Sequence, residues 1–452
     1  MNGESAIMKT KYLILPFCFV LAGCGHNNGS NKEQSAESPP KVTPLSLVLV
    51  PQTGDTKLDA QIRQAQEQVR SSKKNTEPAL ERLGWLFVAK ARMTFDPGFY
   101  KLGEQCALCL ESKNPHAPEA LLLHGHILQN LHRFKEAEPL ARELVASRGR
   151  PFDYGLLGDV LMEQGQLNEA AEAYQKMADL RPDLQACARA AHIRWLKGDL
   201  DGAIEMMRLA VHAASPLDAE SAAWVYSRMA AYQMQSGALA EARRFCEGAL
   251  EFQSNYPPAL LIEGKLSLVE GRTGEALESI RHAVTLNPLP EYQWALIEAL
   301  RVDGHLDEAT SVKNELKANG AAADPRTFAL FLATFGEEPA QALRLARAEL
   351  QTRKDVFTYD ALAWSLAASG EWGEAQVQCR RALSEGTRDA RLFLHGGIIA
   401  AHVGRADEAR TLLAQAETLH QMLLPSEGAL LARYLQRTLS LPQAVRFQTS
   451  QN

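Results

Sequence analysis

The sequence predicts an all-α protein, an α-solenoid of about ten helix-turn-helix repeats. Two observations predict this fold. An alanine recurs nine times, at spacings of 33 or 34 residues with a single interval of 39. A glycine stands five residues before seven of these alanines, where one helix would end and the next begin. Self-similarity at such a period is typical of helix pairs that stack and bury their apolar faces against one another.

Composition agrees with this fold and excludes some functions. Of the 452 residues, 46% are hydrophobic but only 7% are aromatic, which suits helices packed through alanine and leucine. The net charge is −6 and both signs are interspersed, so we expect no nucleic-acid partner. The seven cysteines are scattered and do not form the pattern of a disulfide framework.

The N-terminus has the features of a secretion signal. Basic residues in Met8–Lys11 precede the apolar run Tyr12–Val20 and then Leu21-Ala22-Gly23-Cys24. An apolar run this short, with a basic flank and a small-residue end, predicts a signal peptide over residues 1–23 and not a membrane-spanning helix. Met8 is a candidate for the true start, because Glu4 adds negative charge to a region that should be basic.

The tetrapeptide that ends at Cys24 resembles the bacterial lipobox, which implies a lipidated cysteine at the mature N-terminus. We therefore expect a membrane lipoprotein that faces the periplasm, and Gly25 after the cysteine implies sorting to the outer membrane. Two alternatives remain: an ordinary secretion signal with a chance cysteine, and a cytoplasmic protein whose N-terminus only resembles a signal.

The mature chain divides into four predicted segments. Residues 24–54 are polar and rich in proline and serine at first, which predicts a flexible tether; the apolar run Leu45–Val50 within them is interpreted as a strand-like segment docked on the first repeats. Residues 55–77 predict a capping helix, 78–418 the solenoid, and 419–452 a closing helix and tail.

One unit illustrates the pattern. Leucines and valine between residues 156 and 161 form an apolar helical stripe that ends at Gly165. A second helix follows, with Ala170 on its inner face, and Pro182 ends it. Because two such helices cross closely, small residues are expected at the crossing, here Gly158 and Ala170. The small positions of the repeats are Gly158, Ala137, Ala170, Ala203, Ala242, Ala276, Ala309, Ala342, Ala375 and Ala409.

This unit resembles the tetratricopeptide repeat, through Leu157-Gly158, Ala170, Tyr174 and Pro182. The resemblance extends over residues 78–416 and implies a right-handed solenoid that binds other proteins. Three departures stand out: a longer connection inside the first unit, an insertion at residues 215–222, and a degenerate unit around Ala342 with three phenylalanines on its first helix.

In this family the first helix of each repeat lines a concave groove where partner peptides bind. Tryptophan and arginine are apt anchors there, although tryptophans at these positions also pack inside the solenoid. The resemblance implies these groove residues: His126, Asp159, His192, Trp195, Lys265, Trp294, Glu298, Arg301, Trp364 and His402. The family's carboxylate clamp needs a set of Lys, Asn and Arg residues on successive first helices, and the sequence does not show that set.

The sequence shows no complete motif for a metal site or for catalysis. Cys106 and Cys109 form a lone C-x-x-C in a helical stretch, with histidines downstream but no further ligand at a fitting spacing, so we predict no metal site and no cofactor. No motif for a hydrolase, a phosphate-binding loop or a dinucleotide fold occurs, which predicts that the protein is not an enzyme.

The sequence thus predicts a scaffold, held at the membrane by the lipid on Cys24, that binds proteins of envelope assembly, secretion or cell-wall machinery. The alternative is an envelope protein that binds a small ligand or glycan by stacking sugar rings on the concave tryptophans.

Overall fold

The computed structural model describes residues 43–72 and 75–439, and these residues contain 23 α-helices, two short 3₁₀ helices and no strand. The predicted all-α solenoid of helix pairs is confirmed. The signal peptide and Cys24 lie outside the described residues. None of the described helices combines the length and the apolar character that crossing a membrane requires.

Two helices precede the repeats, α1 (Pro44–Val48) and α2 (Lys57–Ser71). The apolar run predicted to be strand-like forms α1 instead, and Val48 is buried. The side-chain amide of Gln66 donates to the carbonyl oxygens of Val48 and Val50, at 2.8 Å each. The folded body therefore begins before residue 55, and the predicted tether up to residue 54 is too long.

Helix α2 begins at a capping box and is tied to the first repeat. Thr56 and Asp59 exchange hydrogen bonds across the first turn, which satisfies backbone donors that have no partner within the helix. The Asp59 carboxylate also lies 2.8 Å from Lys90 Nζ of the next helix. Its hydrogen bonds to Lys90 and Thr56 lower the pKa of Asp59 to about 2.

Ten helix pairs follow. They are α3 (Glu77–Thr94) with α4 (Gly98–Glu111), α5 (Pro118–Asn130) with α6 (Phe134–Ser147), α7 (Pro151–Glu163) with α8 (Leu167–Leu180), α9 (Leu184–Leu196) with α10 (Leu200–His212), α11 (Ala219–Gln235) with α12 (Leu239–Phe252), α13 (Pro257–Val269) with α14 (Thr273–Leu286), α15 (Pro290–Val302) with α16 (Leu306–Ala323), α17 (Pro325–Phe335) with α18 (Pro339–Thr352), α19 (Val356–Ala368) with α20 (Trp372–Ala382), and α21 (Ala390–His402) with α22 (Ala406–Glu417).

The repeated small residues sit where the helices of a pair approach each other. All nine repeat alanines are buried. At Gly158 a β-carbon would lie 2.3 Å from the Tyr174 ring, so only glycine admits this approach of α7 and α8. The turn glycine Gly165 has φ of +77°, a left-handed conformation that ends the first helix and that a side chain would strain.

The irregular spacing has a local cause. A short 3₁₀ helix, Pro216–Asp218, precedes α11, and α11 has 17 residues where α9 and α13 have 13. The additional residues lengthen the first helix and its entry and leave the stacking intact, since α10 packs on α11 and α11 on α12. The degenerate unit around Ala342 is likewise a helix pair, α17 with α18.

Connections between the last repeats contact the C-terminal ends of first helices in the early repeats. The Lys354 amide donates to the carbonyl oxygen of Glu163, the last residue of α7, at 3.0 Å. One pair further along, the Thr387 hydroxyl donates to the carbonyl oxygen of Leu196, the last residue of α9. These carbonyls have no partner within their own helix, so the returning connections cap them.

The C-terminal segment closes the array. A 3₁₀ helix, His420–Met422, leads to α23 (Pro425–Leu439). Gln421 donates to the carbonyl oxygens of Met234 and Gln235 at the end of α11, at 3.1 and 2.9 Å. This is the third first-helix terminus capped by a segment from six pairs further along the chain.

Candidate functional site

The inner face of the early repeats holds a cleft of about 460 Å³, which we call the first cleft. First helices α3, α5, α7, α9 and α11 each contribute to it, and α8 contributes Tyr174. Three predicted groove residues, His126, Asp159 and His192, line it. They occupy corresponding positions on α5, α7 and α9, so the solenoid brings them together.

Asp159 organises the wall of the first cleft. It is buried, and its carboxylate accepts hydrogen bonds from Tyr174 Oη at 2.9 Å and from Arg189 Nε and Nη2 at 2.8 and 2.7 Å. A two-point contact of this kind fixes the guanidinium as well as neutralising it. Burial raises the pKa of Tyr174 well above its usual value, so the phenol stays protonated and donates. Asp159 therefore holds Tyr174 and Arg189 in place.

The two histidines of the first cleft are neutral. Burial, followed by the charge of Arg92, lowers the pKa of His126 to about 4. Burial and the charge of Arg228 lower the pKa of His192 to about 3. A histidine in an apolar environment beside a cation binds a proton poorly, so these rings act as neutral hydrogen-bonding groups at pH 7.

A second cleft of about 300 Å³ adjoins the first. Its lining includes the predicted residues Trp195 and Lys265, and also Asp389 and Arg391 at the start of α21. Trp195 is half-buried; its ring lies 5.4 Å from that of His192 and 5.7 Å from that of Phe357, and its Nε1 donates to Gln235 at 2.7 Å. Because α21 belongs to the last pair, the returning repeats form one side of this cleft.

Three predicted groove residues are not accessible. Trp294 and Glu298 are 1% and 2% exposed and Trp364 is 7% exposed. The expectation that they line an open groove is therefore wrong. Trp294 packs edge-on against Phe331, and Trp364 Nε1 donates to Thr334 at 3.0 Å. Aromatic side chains of this size fill the space between successive helix pairs.

The carboxylate of Glu298 is hydrogen-bonded to other residues of the same chain. Its carboxylate accepts hydrogen bonds from the Ser426 amide at 3.1 Å, from the Ser426 hydroxyl, and from Trp294 Nε1 at 3.2 Å. Ser426 opens α23, so the C-terminal segment covers the inner face of α15. Burial raises the pKa of Glu298 despite these donors.

The remaining two predicted residues lie outside both clefts. Arg301 is exposed, and its guanidinium lies 5.3 Å from the centre of the Phe335 ring. His402 is exposed and stacks on Trp372, with ring centres 3.7 Å apart. The structure therefore gathers five of the ten predicted residues into two adjoining clefts.

Among the cleft residues that the sequence interpretation missed are Arg228 and Trp224 of α11. Arg228 lines both clefts, and Trp224 lines the first and is 38% exposed. No residue of α11 was predicted. In the repeat register Arg228 corresponds to Arg189, 39 residues earlier on α9, and neither arginine was predicted.

Of the two cysteines of the C-x-x-C pair, Cys106 is a core residue and Cys109 is half-buried. Cys106 is buried in α4, next to Gly84 of α3, and burial raises the pKa of its thiol well above the usual value. A buried thiol of this kind behaves as a small apolar side chain. Within residues 43–72 and 75–439, no group of three or more His, Cys, Asp or Glu is placed to hold a metal ion.

Comparison with known proteins agrees with the geometry. The tetratricopeptide-repeat family model matches residues 154–184, which are most of α7 and α8. The chain contains a tetratricopeptide repeat. The other nine helix pairs have the same architecture, and a protein of such repeats serves generally as a scaffold for protein interaction. No curated protein sequence matches the chain.

Two solved structures of tetratricopeptide solenoids are similar at a low level. One is the APC/C hetero-tetramer Cut9-Hcn1, at 14% identity and a TM-score of 0.42, covering 85% of this chain and 64% of that one. The other is YrrB, described as a TPR protein with an unusual peptide-binding site, at 13% identity and a TM-score of 0.31, covering 44% of this chain and 97% of that one. The fold assignment rests on the helix pairs themselves.

Proposed function

We propose that this protein is a scaffold that holds an extended segment of a partner protein in the two inner clefts. The observation that carries the proposal is that the two clefts adjoin at Arg228 and together offer polar and aromatic groups along seven successive first helices, α3 to α15. Such clefts, partly apolar with a few fixed polar groups, suit a peptide chain.

The buried tryptophans count against the glycan alternative. Stacking of sugar rings needs accessible aromatic faces, and of the three predicted tryptophans Trp294 and Trp364 offer none, which leaves Trp195 of the second cleft alone. A partner segment, in contrast, needs hydrogen-bond donors and acceptors spread along its length. The first cleft provides Gln129, Asn130 and Gln185 in addition to its charged groups.

Site-specific photocrosslinking tests the binding surface. A benzophenone amino acid at Trp224 places the reactive group in the first cleft. The matched control carries it at Leu209, which is 52% exposed on the second helix α10 and outside both clefts. We expect a defined protein adduct, in the native cells, at position 224 alone. Equal adducts at both positions, or none at 224, would remove the proposal.

We propose further that the scaffold is a lipoprotein of the bacterial envelope. The support is the pattern that ends at Cys24, with its basic flank and short apolar run. Several acyl chains on one cysteine anchor a protein on a bilayer far better than a single chain. The wild type should incorporate a fatty-acid label and fractionate with membranes, whereas Cys24→Ala should do neither. A Cys24→Ala protein that stays labelled and membrane-bound would contradict the anchor.

A further inference from the structure

Arg228 occupies the junction of the two clefts. It lies on α11, is half-buried, and lines the first cleft together with His192 and the second together with Trp195. A chain that passes from one cleft to the other must pass this guanidinium.

The other cations that line the clefts are neutralised by carboxylates. Arg92 pairs with Glu220 at 2.7 Å, Arg189 with Asp159 at 2.7 Å, Lys265 with Glu291 at 3.0 Å, and Arg391 with Glu427 at 2.5 Å. Arg228 makes no ion pair with any carboxylate of the described residues. Its guanidinium instead lies 5.8 Å from the Trp195 ring centre and 5.4 Å from the Tyr232 ring centre.

The only hydrogen-bond contact of Arg228 within residues 43–72 and 75–439 is a long one, from Nη2 to His192 Nδ1 at 3.4 Å. This contact leaves most of the five N–H donors of the guanidinium unused. Since His192 is neutral and its Nδ1 faces a donor, its hydrogen lies on Nε2, which is a further donor in the first cleft. Arg228 therefore has donors to spare and no carboxylate in direct contact, while its charge acts on Glu291 of the second cleft only at longer range.

We propose that Arg228 binds the side-chain carboxylate of an aspartate or glutamate within the partner segment. The inference rests on the proposed function and specifies the class of partner. A guanidinium flanked by aromatic rings is held in place, and a carboxylate can accept two parallel N–H bonds from it. A phosphate, with its greater charge, would call for more than one free cation, and the neighbouring arginines are already paired.

The acidic residue is internal to the segment and not a chain terminus. Open volume continues on both sides of Arg228, about 460 Å³ in one direction and 300 Å³ in the other. A terminal carboxylate at the junction would leave one of the clefts empty. An internal aspartate or glutamate allows the segment to fill both.

A positional-scanning library of acetylated, amidated decapeptides tests this. The full mature protein should select Asp or Glu at one internal position, and a selected peptide should bind about tenfold or more tighter than its Gln or Asn counterpart. Arg228→Met should abolish the difference, and Arg228→Lys should retain part of it. The matched control is Arg281→Met, because Arg281 pairs with Glu308 on second helices outside both clefts and its loss should leave the selection unchanged.

The outcomes separate this inference from the proposed function. Thermal melting first shows that each variant folds. The inference is overturned if peptides bind without an acidic preference, or if Arg228→Met shows the same preference as the wild type. The proposed scaffold function is unaffected by either result. Parallel libraries with a free carboxyl terminus or with phosphoserine are screened in the same way, and binding to one of these libraries alone also overturns the inference. If no peptide of any kind is selected, both this inference and the proposal that the clefts bind a protein segment are overturned.

Discussion

The backbone amide of Lys354 donates a 3.0 Å hydrogen bond to the carbonyl oxygen of Glu163, six helix pairs earlier in the chain. Thr387 repeats the relationship with Leu196, and Gln421 repeats it with Met234. The three donors follow one another at the repeat period and cap three successive first helices, α7, α9 and α11. The same helices line the first cleft, so the returning repeats hold the walls of the proposed binding site in register.

Removing one of these caps should destabilise the protein. Thr387 is fully buried, and Thr387→Val keeps its shape but leaves the Leu196 carbonyl without this partner. We expect a loss of about 1–2 kcal/mol in the free energy of unfolding by urea, which is the cost of an unsatisfied buried acceptor. The control is Thr285→Val on α14, where an exposed hydroxyl donates to the Arg281 carbonyl. Its effect should be within about 0.5 kcal/mol. Equal losses would mean that the contact with Leu196 contributes no specific stability.

The C-terminal segment should depend on a buried ion pair. Glu427 is fully buried and lies 2.5 Å from Arg391 Nε. Burial alone would raise the pKa of Glu427, but the Arg391 charge and hydrogen bonds outweigh it, so the pKa is lowered and the carboxylate is ionised. Glu427→Gln should cost about 1.5–3 kcal/mol, because it removes a charge-assisted hydrogen bond and leaves the partly exposed guanidinium without its counter-charge.

Hydrogen exchange identifies the segment that loses stability in Glu427→Gln. Amides of α23 and of the 3₁₀ helix before it should exchange faster in Glu427→Gln than in the wild type, while those of α5 should not change. The control is Glu417→Gln at the end of α22, an exposed position. Unchanged exchange in α23 would show that this ion pair does not fix the segment that covers Glu298.

The sequence predicted the repeats better than the clefts, for a physical reason. Helix ends and crossings depend on local chemistry, and so Gly165 and Ala170 were assigned correctly from one unit. Burial of Glu298 depends on α23, which reaches α15 from the far end of the chain. Closure through Lys354 and Glu163 involves backbone groups, which leave no signature in side-chain patterns. Arg228 was missed because its repeat position, shared with Arg189, is apolar in most of the other units.

Overpacking one helix crossing tests the repeat geometry itself. Ala276 is fully buried where α14 passes α13, and a β-carbon at Gly264 would lie 3.3 Å from the Ala276 carbonyl oxygen. Ala276→Leu has no space for its added atoms and should cost about 1–3 kcal/mol in urea unfolding. Glu278→Gln, at an exposed position of the same helix, should change stability by less than about 0.5 kcal/mol. Small effects from both substitutions would show that the crossing is not tightly packed.

The pH dependence of stability should report the neutral state of His192. Its pKa is about 3 in the folded protein and near 6.5 when free, so below pH 6.5 the unfolded chain binds a proton that the folded protein does not. The stabilisation is therefore complete above pH 6.5 and is lost as the pH falls towards 3. Between pH 7 and 5, His192→Gln should lose less stability than the wild type, by at most about 2 kcal/mol. Because the comparison is between two proteins, titration of the other groups largely cancels. His116→Gln, at a side chain 79% exposed, is the matched control for the substitution itself. A His192→Gln protein with the pH profile of the wild type would contradict the neutral ring whose Nδ1 accepts from Arg228.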